Sequence, residues 1–388
     1  MRTQIRRLHA LVIVTMIVAG RMAKSGDAAA LDPARAESSA DVGILFHDVR
    51  TLGVEGQAWS DVESPYNRLP KKAKAAVRQR IWELAGDSSG LCVRFTTNAQ
   101  EIRARWSLRS NSLAMQHMPA TGVSGLDLYV RTVGGGWRWL GTGVPESQTT
   151  TAKIAEGLSA GERDYMLYLP LYNGVTSLEI GIPKSASLRK SETRPAATSK
   201  PIVFYGTSIT QGGCASRPGM TYAAILGRRF DRPIVNLGFS SNGTMDLELA
   251  ALITEIDAAA IVVDCVPNMT PEMVAQRARP FVERLRETRP TTPILLVEDR
   301  TFADAFLVPA KQAQHSAARS ALRESFDALV AEGDQNIGYL PGDKLLADDG
   351  EDTVDGSHVT DLGFVHLSNA IRPALEKLWE KQSEIERR

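Results

Sequence analysis

The run PIVFYGTSITQG, residues 201–212, decides the fold of the second half of the chain. Its apolar residues 201–205 end in Gly206-Thr207-Ser208. A continuous apolar run of this length is typical of a strand in a parallel sheet that is covered on both faces. We therefore place Ser208 at the carboxyl end of such a strand, with its hydroxyl exposed. Taken alone, a Gly-Thr-Ser turn after a strand indicates a helix cap or a tight turn more often than a nucleophile.

Three further apolar runs repeat this pattern along the chain. They cover residues 233–238, 259–266 and 293–299, and helical stretches separate and follow them. This alternation predicts a doubly wound α/β domain built on a parallel sheet, over residues 199–388. Ligands of such sheets bind at the carboxyl ends of the strands, so we expect the chemistry at that edge.

A second motif, VDGSHVTDLG, covers residues 354–363 and places Asp355 three residues before His358. On a compact turn, the Asp355 carboxylate can accept a hydrogen bond from Nδ1 of the imidazole. That bond leaves Nε2 free to take a proton from a serine. Asp-x-x-His is common and weakly specific by itself. Combined with the first motif, it predicts a catalytic triad of Ser208, His358 and Asp355.

These two motifs resemble the first and last conserved blocks of the SGNH (GDSL-like) hydrolases. The first block of that family is Gly-Asp-Ser, and this chain has Gly206-Thr207-Ser208, with threonine where aspartate is usual. Asp355 and His358 match the last block without departure. The resemblance implies a flavodoxin-like sheet, a serine nucleophile and an oxyanion hole.

Two donors of the oxyanion hole follow from the same resemblance. Asn268 lies in VVDCVPNM (262–269) and matches the family asparagine whose side-chain amide donates to the oxyanion. The alternative is that Pro267-Asn268 is only a turn. The family glycine of the second block falls on Ser241, in NLGFSSNG (236–243). A backbone N–H survives this replacement, so we expect the role to persist provided that φ is negative at Ser241.

The first half of the chain, residues 37–186, consists of short runs rich in β-branched and aromatic residues. Glycine, proline, asparagine and serine mark the turns between them, at a spacing that predicts a jelly-roll-like β-sandwich. One stretch, residues 72–84, is predicted to be helical. Residues 187–198 are polar and predict a linker. The predicted strands are residues 91–97, 101–108, 126–132, 137–142, 164–171 and 176–182.

The sandwich half also carries a family resemblance, in Gly125-Leu126-Asp127-Leu128-Tyr129. This run looks like the signature of the GxDLY domain, the sandwich that precedes one subgroup of SGNH hydrolases. The two-domain plan is similar to that of carbohydrate esterases with a jelly roll before an SGNH domain.

The N-terminus, residues 1–30, predicts a secretory signal peptide. Arg2, Arg6 and Arg7 precede an apolar run too short to span a membrane, and Ala28-Ala29-Ala30 provides an A-x-A site. The alternative is a disordered or membrane-held tail. We therefore expect export to the periplasm or the cell exterior, with no stable membrane insertion.

Charge and cysteine content limit the functional classes. The 45 basic and 45 acidic residues cancel, so net charge gives no footprint for nucleic acid. No cysteine or histidine spacing predicts a metal site.

Cys214 and Cys265 would both lie near the mouth of the site. One interpretation is a disulfide between them, as in many exported proteins, and the other is two buried thiols.

Three residues are candidates for substrate binding. Glu298 ends the fourth apolar run at the catalytic edge, where it can orient substrate hydroxyls or form an internal ion pair. Tyr172 and His117 lie in loops of the sandwich half and can reach substrate only if that half folds back over the carboxyl edge of the sheet. Otherwise they are core or packed loop residues, and the sandwich is an independent module that tethers substrate.

The combined prediction is a serine esterase that works by two-step acyl transfer and needs no cofactor or metal. The architecture favours short-chain esters, above all O-acetyl groups on a carbohydrate, which rests on a fold-level analogy. A first alternative is a lipid or aryl-ester hydrolase with the same mechanism. A second is a catalytically inactive carbohydrate-binding protein. The expected partner is a small-molecule or carbohydrate ester, and no motif indicates an oligomeric state.

Overall fold

The computed structural model describes residues 29–38 and 43–387. The predicted signal peptide lies outside these residues, apart from its last two positions. Over the described residues the chain forms a β-sandwich followed by an α/β domain, which confirms the predicted fold class. Of the helices in this part of the chain, none has both the length and the apolar character needed to cross a membrane.

The sandwich half consists of two antiparallel sheets. Its helices are α1 (Ala73–Ala76), α2 (Gln79–Ala85) and α3 (Ala120–Val123). Its strands are β1 (Glu37–Ser38), β2 (Ile44–Asp48), β3 (Val54–Glu55), β4 (Cys92–Thr97), β5 (Ile102–Leu108), β6 (Leu126–Arg131), β7 (Trp137–Gly143), β8 (Thr149–Ala155), β9 (Arg163–Tyr168), β10 (Val175–Pro183) and β11 (Leu188–Lys190). The order is β1-β2-β10-β5-β8 in the first sheet and β11-β4-β9-β6-β7 in the second, with β3 on β4.

The two sheets differ in what covers their outer faces. In β5 buried and half-buried residues alternate, as expected where one face of a strand meets the core and the other meets solvent. In β4 every residue is buried. Leu91, Val93 and Phe95 face the sandwich core, while Cys92 packs toward the α/β domain in a cluster with Ala224. At β4 the second sheet is therefore covered on both sides.

Two local predictions for this half need correction. The helix predicted over residues 72–84 is broken at Val77, whose φ of −90° and ψ of 160° are extended. The predicted linker, residues 187–198, is partly structural, because β11 pairs with β4 and the nearly buried Arg194 lies 2.6 Å from the Glu55 carboxylate. This segment is therefore not a free tether.

The α/β domain has one parallel sheet with helices on both faces. Its strands are β12 (Ile202–Gly206), β13 (Ile234–Gly238), β14 (Ala260–Asp264), β15 (Ile294–Val297) and β16 (Ile337–Leu340), in the order β13-β12-β14-β15-β16. This is the flavodoxin-like order that the resemblance implies. The helices are α4 (Ala196–Ser199), which precedes the sheet, α5 (Ser208–Gln211), α6 (Tyr222–Phe230), α7 (Leu247–Ile253), α8 (Pro271–Arg286), α9 (Pro309–Ala331) and α10 (Asp361–Glu386).

The sandwich packs directly on the α/β domain. Leu69, Ile81 and Leu84 share one apolar core with Val203 and Phe239 of the sheet domain. On the other face of the sheet, Met118, Val123 and Leu171 enter the core that contains Ile209 and Tyr222. Because Ile209 directly follows Ser208, the sandwich reaches the edge of the sheet where the chemistry is predicted.

Candidate active site

The first strand of the sheet positions Ser208 as the sequence predicts. β12 ends at Gly206, and a Cβ there would collide with Thr210 Oγ1 and the Asp264 carbonyl, so the strand can end this tightly only with glycine. Thr207 caps α5 by accepting a hydrogen bond from Ile209 N at 3.3 Å. Ser208 is the first residue of α5, where the backbone N–H has no acceptor within the helix.

Ser208, His358 and Asp355 form one hydrogen-bonded chain. The Ser208 hydroxyl lies 2.8 Å from His358 Nε2, and His358 Nδ1 lies 2.8 Å from Asp355 Oδ2. Ser208 and His358 are 150 residues apart in sequence, and the fold brings them together. With Nδ1–H donating to the carboxylate, Nε2 is the free base that faces the serine, which is the arrangement of a serine hydrolase triad.

The turn that contains Asp355 is fixed by hydrogen bonds within the turn and by hydrogen bonds from Arg300. Asp355 Oδ1 accepts from the amides of Ser357 and His358, at 3.0 and 2.7 Å. Partial burial raises the pKa of Asp355, but the bonds from the His358 ring and from these amides outweigh it and bring the pKa to about 2. Arg300, almost fully buried, donates to the Ser357 carbonyl and hydroxyl at 2.7 Å each. The carboxylate is therefore ionised and fixed beside the imidazole.

Ser241 lies in the loop of residues 239–243 that follows β13, and its conformation corrects one expectation. Its φ is +57°, in the left-handed region, rather than negative. Ser241 thus adopts a backbone conformation that glycine adopts without strain. For a serine this conformation costs about 1–2 kcal/mol. Phe239, Ser240, Asn242 and Gly243 donate their amides within the protein, whereas the amide of Ser241 donates to no group among the described residues.

Asn268 lies at the end of a short 3₁₀ turn after β14. When its carboxamide oxygen faces the β13 loop, it accepts from the amides of Asn242 and Gly243, at 3.1 and 3.2 Å. The same two amides also donate to the Phe239 carbonyl, so each is shared between two acceptors. Asn268 is thus attached to the loop that carries the free Ser241 amide.

Both sandwich residues predicted to approach the site do so. The Tyr172 hydroxyl donates to the main-chain carbonyl of Ser208 at 3.1 Å. The His117 ring is exposed, and its centroid lies 5.8 Å from that of His358, with the planes inclined by 42°. Two sandwich loops therefore form part of the wall of the site.

Glu298 does not belong to this wall. It is buried, its Oε1 accepts the Tyr339 hydroxyl, and its Oε2 accepts Gly342 N at 2.6 Å. Arg319 Nε lies 3.6 Å away. The carboxylate thus ties β15 to β16 and the turn that follows it. Glu298 thus makes contacts inside the protein, which was the alternative to substrate binding. The substrate-binding prediction for Glu298 is wrong, because neighbouring groups engage both of its carboxylate oxygens.

Of the two interpretations for the cysteines, the structure shows the buried thiols. Cys92, Cys214 and Cys265 all lie among the described residues, and each is a buried free thiol. Cys265 Sγ is directed to the Tyr205 carbonyl at 3.8 Å. Burial, with a contribution from the nearby Asp355 carboxylate, raises the pKa of the Cys214 thiol to about 12. In the described part of the chain, no three His, Cys, Asp or Glu side chains are grouped to hold a metal ion.

The GxDLY motif has a structural role that its sequence pattern did not predict. Asp127, fully buried in β6, accepts from Arg217 Nη1 at 2.7 Å and from Gly219 N at 2.8 Å. Tyr129 accepts a second bond from Arg217 Nη1 at 2.6 Å. The motif thus holds the segment that leads from the nucleophile turn to α6. A buried aspartate in a strand was the available signal, because such a group needs partners from elsewhere in the fold.

A buried carboxylate also lies beneath the nucleophile turn. Asp264 Oδ2 accepts from the Tyr222 hydroxyl at 3.1 Å and from Thr210 Oγ1 at 3.4 Å. Burial raises the pKa of Asp264 to about 7, and the charge of Arg300 only partly opposes this. Since Thr210 belongs to α5, this group supports the helix that begins with Ser208.

Comparison with known proteins agrees with the fold. The GDSL-like lipase/acylhydrolase family matches residues 199–376, and the GxDLY N-terminal domain of SGNH-hydrolase-type esterases matches residues 44–188. A crystal structure described as a GDSL-like lipase from Bacteroides ovatus is 33% identical, with a TM-score of 0.82. The match covers 87% of this chain and 98% of that one. No curated protein gives a significant match.

Two more distant structures share the fold. The salicylyl-acyltransferase SsfX3 of a tetracycline biosynthetic pathway is 20% identical over 89% of this chain and 97% of its own, with a TM-score of 0.67. A family two carbohydrate esterase from Clostridium thermocellum, in complex with cellohexaose, is 14% identical over 76% of this chain and 94% of its own, with a TM-score of 0.53.

The chain belongs to the GDSL-like (SGNH) hydrolases, in the subgroup with an N-terminal GxDLY sandwich. It is a serine esterase of that family.

Proposed function

We propose that this esterase removes short acyl groups, above all O-acetyl groups, from a carbohydrate through an acyl-enzyme on Ser208. The observation that carries the proposal is the hydrogen-bonded chain from Asp355 through His358 to the Ser208 hydroxyl, with both bonds at 2.8 Å. A serine at the end of such a chain is an activated nucleophile. The alternative of an inactive carbohydrate-binding protein gives no reason to keep this geometry.

The proposed reaction has two steps. His358 Nε2 takes the hydroxyl proton as Ser208 Oγ attacks the ester carbonyl, and the oxyanion accepts hydrogen bonds from the amides of Ser208 and Ser241 and from the Asn268 side chain. His358 then protonates the departing alcohol, which leaves the acyl group on Ser208. In the second step His358 deprotonates a water that attacks the acyl-enzyme, and Ser208 leaves as the alcohol. Asp355 stabilises the imidazolium in both steps.

The preference for a small acyl group rests on crowding at the nucleophile. A Cβ on Gly213 would lie 3.0 Å from the Tyr172 hydroxyl and 3.3 Å from Cδ2 of His358, so these groups already meet closely around the turn. The His117 ring adds a wall next to His358. The carbohydrate part rests on the two-domain plan shared with the family two carbohydrate esterase, a likeness of fold alone.

A second candidate, hydrolysis of aryl or lipid esters, is favoured by an apolar cleft beside the catalytic turn. The cleft has a volume of about 280 Å³, and Phe302, Phe306 and Leu346 line it. The Ala303 amide donates to the Gly356 carbonyl at 3.0 Å, which joins the cleft wall to the turn of Asp355. Phe306 is 79% exposed, which is unusual for so large an apolar side chain.

One panel of substrates separates the two candidates. Purified protein is assayed for acetate release from acetylated mono- and oligosaccharides and for hydrolysis of p-nitrophenyl esters of increasing chain length. The proposal predicts a higher kcat/KM on acetylated sugars and a steep fall beyond short acyl chains. A higher kcat/KM on long-chain or aryl esters would favour the second candidate. Absence of labelling by a fluorophosphonate probe, with no turnover of any ester, would overturn both.

The proposed setting is outside the cytoplasm, because residues 1–30 have the pattern of a secretory signal. Expression of the full chain in a bacterial host, followed by fractionation and mass measurement of the product, tests this. The expected product is found outside the cytoplasm and lacks about 30 residues. A full-length product in the cytoplasm would contradict it.

A further inference from the structure

Gln211 is the last residue of α5, three residues after the nucleophile, and it is fully buried. Its side chain makes three hydrogen bonds in the structure. Nε2 donates to Asp87 Oδ2 at 3.0 Å and to the Leu171 carbonyl at 3.3 Å, and Oε1 accepts from Ser240 N at 3.0 Å. Both amide hydrogens and the amide oxygen are engaged, so the side chain bridges three segments and has no donor left for substrate.

One of these segments is the oxyanion loop of residues 239–243. The Ser240 amide that donates to Gln211 directly precedes the amide of Ser241, the donor that this loop leaves unpaired. The amides on the far side of Ser241, those of Asn242 and Gly243, donate to the Phe239 carbonyl at 2.8 and 3.0 Å. The bond to Gln211 thus fixes the peptide that leads into the left-handed Ser241.

The other two segments belong to the sandwich half, and they are rigidly placed. Arg68, almost fully buried, donates through Nε to the Asp87 carbonyl at 2.9 Å. Through Nη1 it donates to the carbonyls of Asn236 and Gly238, at the end of β13. Ser89 Oγ donates to the Gln211 carbonyl at 2.5 Å. The sandwich is therefore attached both to the strand that leads into the oxyanion loop and to the residue that bridges this loop to α5.

We propose that Gln211 is a positioning residue, which holds the Ser241 amide at the oxyanion and makes the sandwich part of the catalytic machinery through Asp87 and Leu171. The inference rests on the proposed mechanism and deepens it. An oxyanion donor acts only when it is within hydrogen-bond distance of the developing charge, so a displacement of the loop lowers kcat more than it changes KM. The side chain itself touches no reacting atom.

A pair of substitutions, of which the double variant conserves the charge of wild type, tests the proposal in the full chain. Gln211→Glu keeps the acceptor for Ser240 but places a carboxylate against Asp87, so the loop is displaced and kcat on p-nitrophenyl acetate falls by about 10²-fold at little change in KM. Adding Asp87→Asn restores a donor facing the new carboxylate. The double variant should regain kcat to within about tenfold of wild type, since only the contact with the Leu171 carbonyl stays unfavourable, where a carboxylate oxygen replaces the donor.

Thr121→Val is the matched control. Thr121 Oγ1 donates across the same interface to the Ser216 carbonyl at 2.6 Å, without touching the oxyanion loop. This variant should keep kcat within threefold of wild type. A Thr121→Val loss equal to that of Gln211→Glu would mean that any loosening of the interface impairs catalysis, which overturns a specific role for Gln211.

The remaining outcomes also decide the question. A folded Gln211→Glu protein with unchanged kcat overturns the proposal, and so does a folded double variant that stays as slow as Gln211→Glu. If Gln211→Glu does not fold, the double variant still decides, because its bridge is intact except at Leu171. Wild-type protein without turnover would refute the proposed function, whereas active wild type with insensitive Gln211 variants refutes this inference alone.

Discussion

The Tyr172 hydroxyl crosses from the sandwich to donate to the main-chain carbonyl of Ser208 at 3.1 Å. That carbonyl also accepts from the amides of Gly212 and Gly213, at 2.9 and 2.7 Å, which close the turn after the nucleophile. A residue from the first half of the chain thus completes the hydrogen bonding of the turn that presents the nucleophile. The sandwich is a structural part of the site.

Tyr172→Phe should lower kcat by about tenfold, because it removes one hydrogen bond from the nucleophile turn while keeping the ring in place. Tyr168→Phe is the matched control, since its hydroxyl also crosses the interface but reaches the Ala224 carbonyl of α6 at 3.5 Å. Steady-state kinetics on p-nitrophenyl acetate compare the two. Equal effects would show that Tyr172 contributes no more than any other interface residue.

Replacing Ser208 or His358 with alanine should reduce kcat by a factor on the order of 10⁶, and the double variant should be little worse than either single variant. The reason is that the two groups act as one unit, joined at 2.8 Å. Asp355→Asn should be less damaging, since the imidazole remains although its tautomer is no longer held. Losses that multiply in the double variant would show that the serine and the histidine do not cooperate.

Ser241 offers a test of the oxyanion loop. Ser241→Gly should keep activity within about threefold, because glycine adopts a φ of +57° without strain and retains the N–H. Ser241→Ala should also stay active, since the side chain is not used. Ser241→Pro removes the N–H and fixes φ near −65°, so a loss of about 10²–10³ in kcat is expected. Substantial activity in the proline variant, with its fold verified by circular dichroism, would exclude the amide as a donor.

The pKa of Asp264, raised by burial to about 7, predicts a pH dependence of stability. The folded state binds this proton more tightly than the unfolded state, whose carboxyl titrates near 4. The contribution of Asp264 to stability is therefore fully present below about pH 4 and is progressively lost as the pH rises to about 7. Asp264→Asn keeps an acceptor for Tyr222 and removes the titration. The Tm of wild type should fall relative to that of the variant between about pH 4 and 7, and parallel curves would contradict the assignment.

The sequence predicted the parts of the site that depend on local motifs and failed where tertiary contacts decide. Asp355 and His358 are three residues apart, so their bond follows from one turn, and Ser208 follows from the end of an apolar strand. The φ of Ser241 depends on bonds to Gln211 and Phe239, which no local pattern reveals. Likewise Glu298 is engaged by β16, a short strand with two half-buried residues that the apolar pattern did not reveal.

The sequence could not decide between the two interpretations for the cysteines, and it missed the structure within the predicted linker, for a related reason. Position near the same edge of a sheet does not fix the direction of a side chain, and Cys265 is directed to the Tyr205 carbonyl instead of to Cys214. The polar composition of residues 187–198 indicated a linker, yet Arg194 in this segment is nearly buried because Glu55 offers it a carboxylate. A polar residue is buried wherever the fold supplies its partner.

The interface predicts that residues 199–388 will not form a stable esterase alone. Removing the first half uncovers apolar surface that Leu69, Ile81 and Leu84 cover on one face of the sheet and Met118 and Leu171 cover on the other. Exposed surface of this kind favours aggregation. We therefore expect the fragment to be insoluble, or soluble without cooperative thermal unfolding.

A companion experiment supplies the sandwich half as a separate polypeptide. Co-expression of residues 29–198 with residues 199–388 should yield a complex that purifies together and hydrolyses p-nitrophenyl acetate, since the buried apolar contacts and the bonds from Arg68 and Tyr172 need no covalent connection. The small ester matters because it needs no tethering, so a gain in rate on adding the sandwich comes from completing the fold or the site and not from holding the substrate. A fragment of residues 199–388 that folds cooperatively and has the kcat/KM of the full chain would show that the sandwich is an independent module. A fragment that folds but loses most of its kcat would place the contribution of the sandwich in the chemical steps, through Tyr172 at the nucleophile turn and Gln211 at the oxyanion loop.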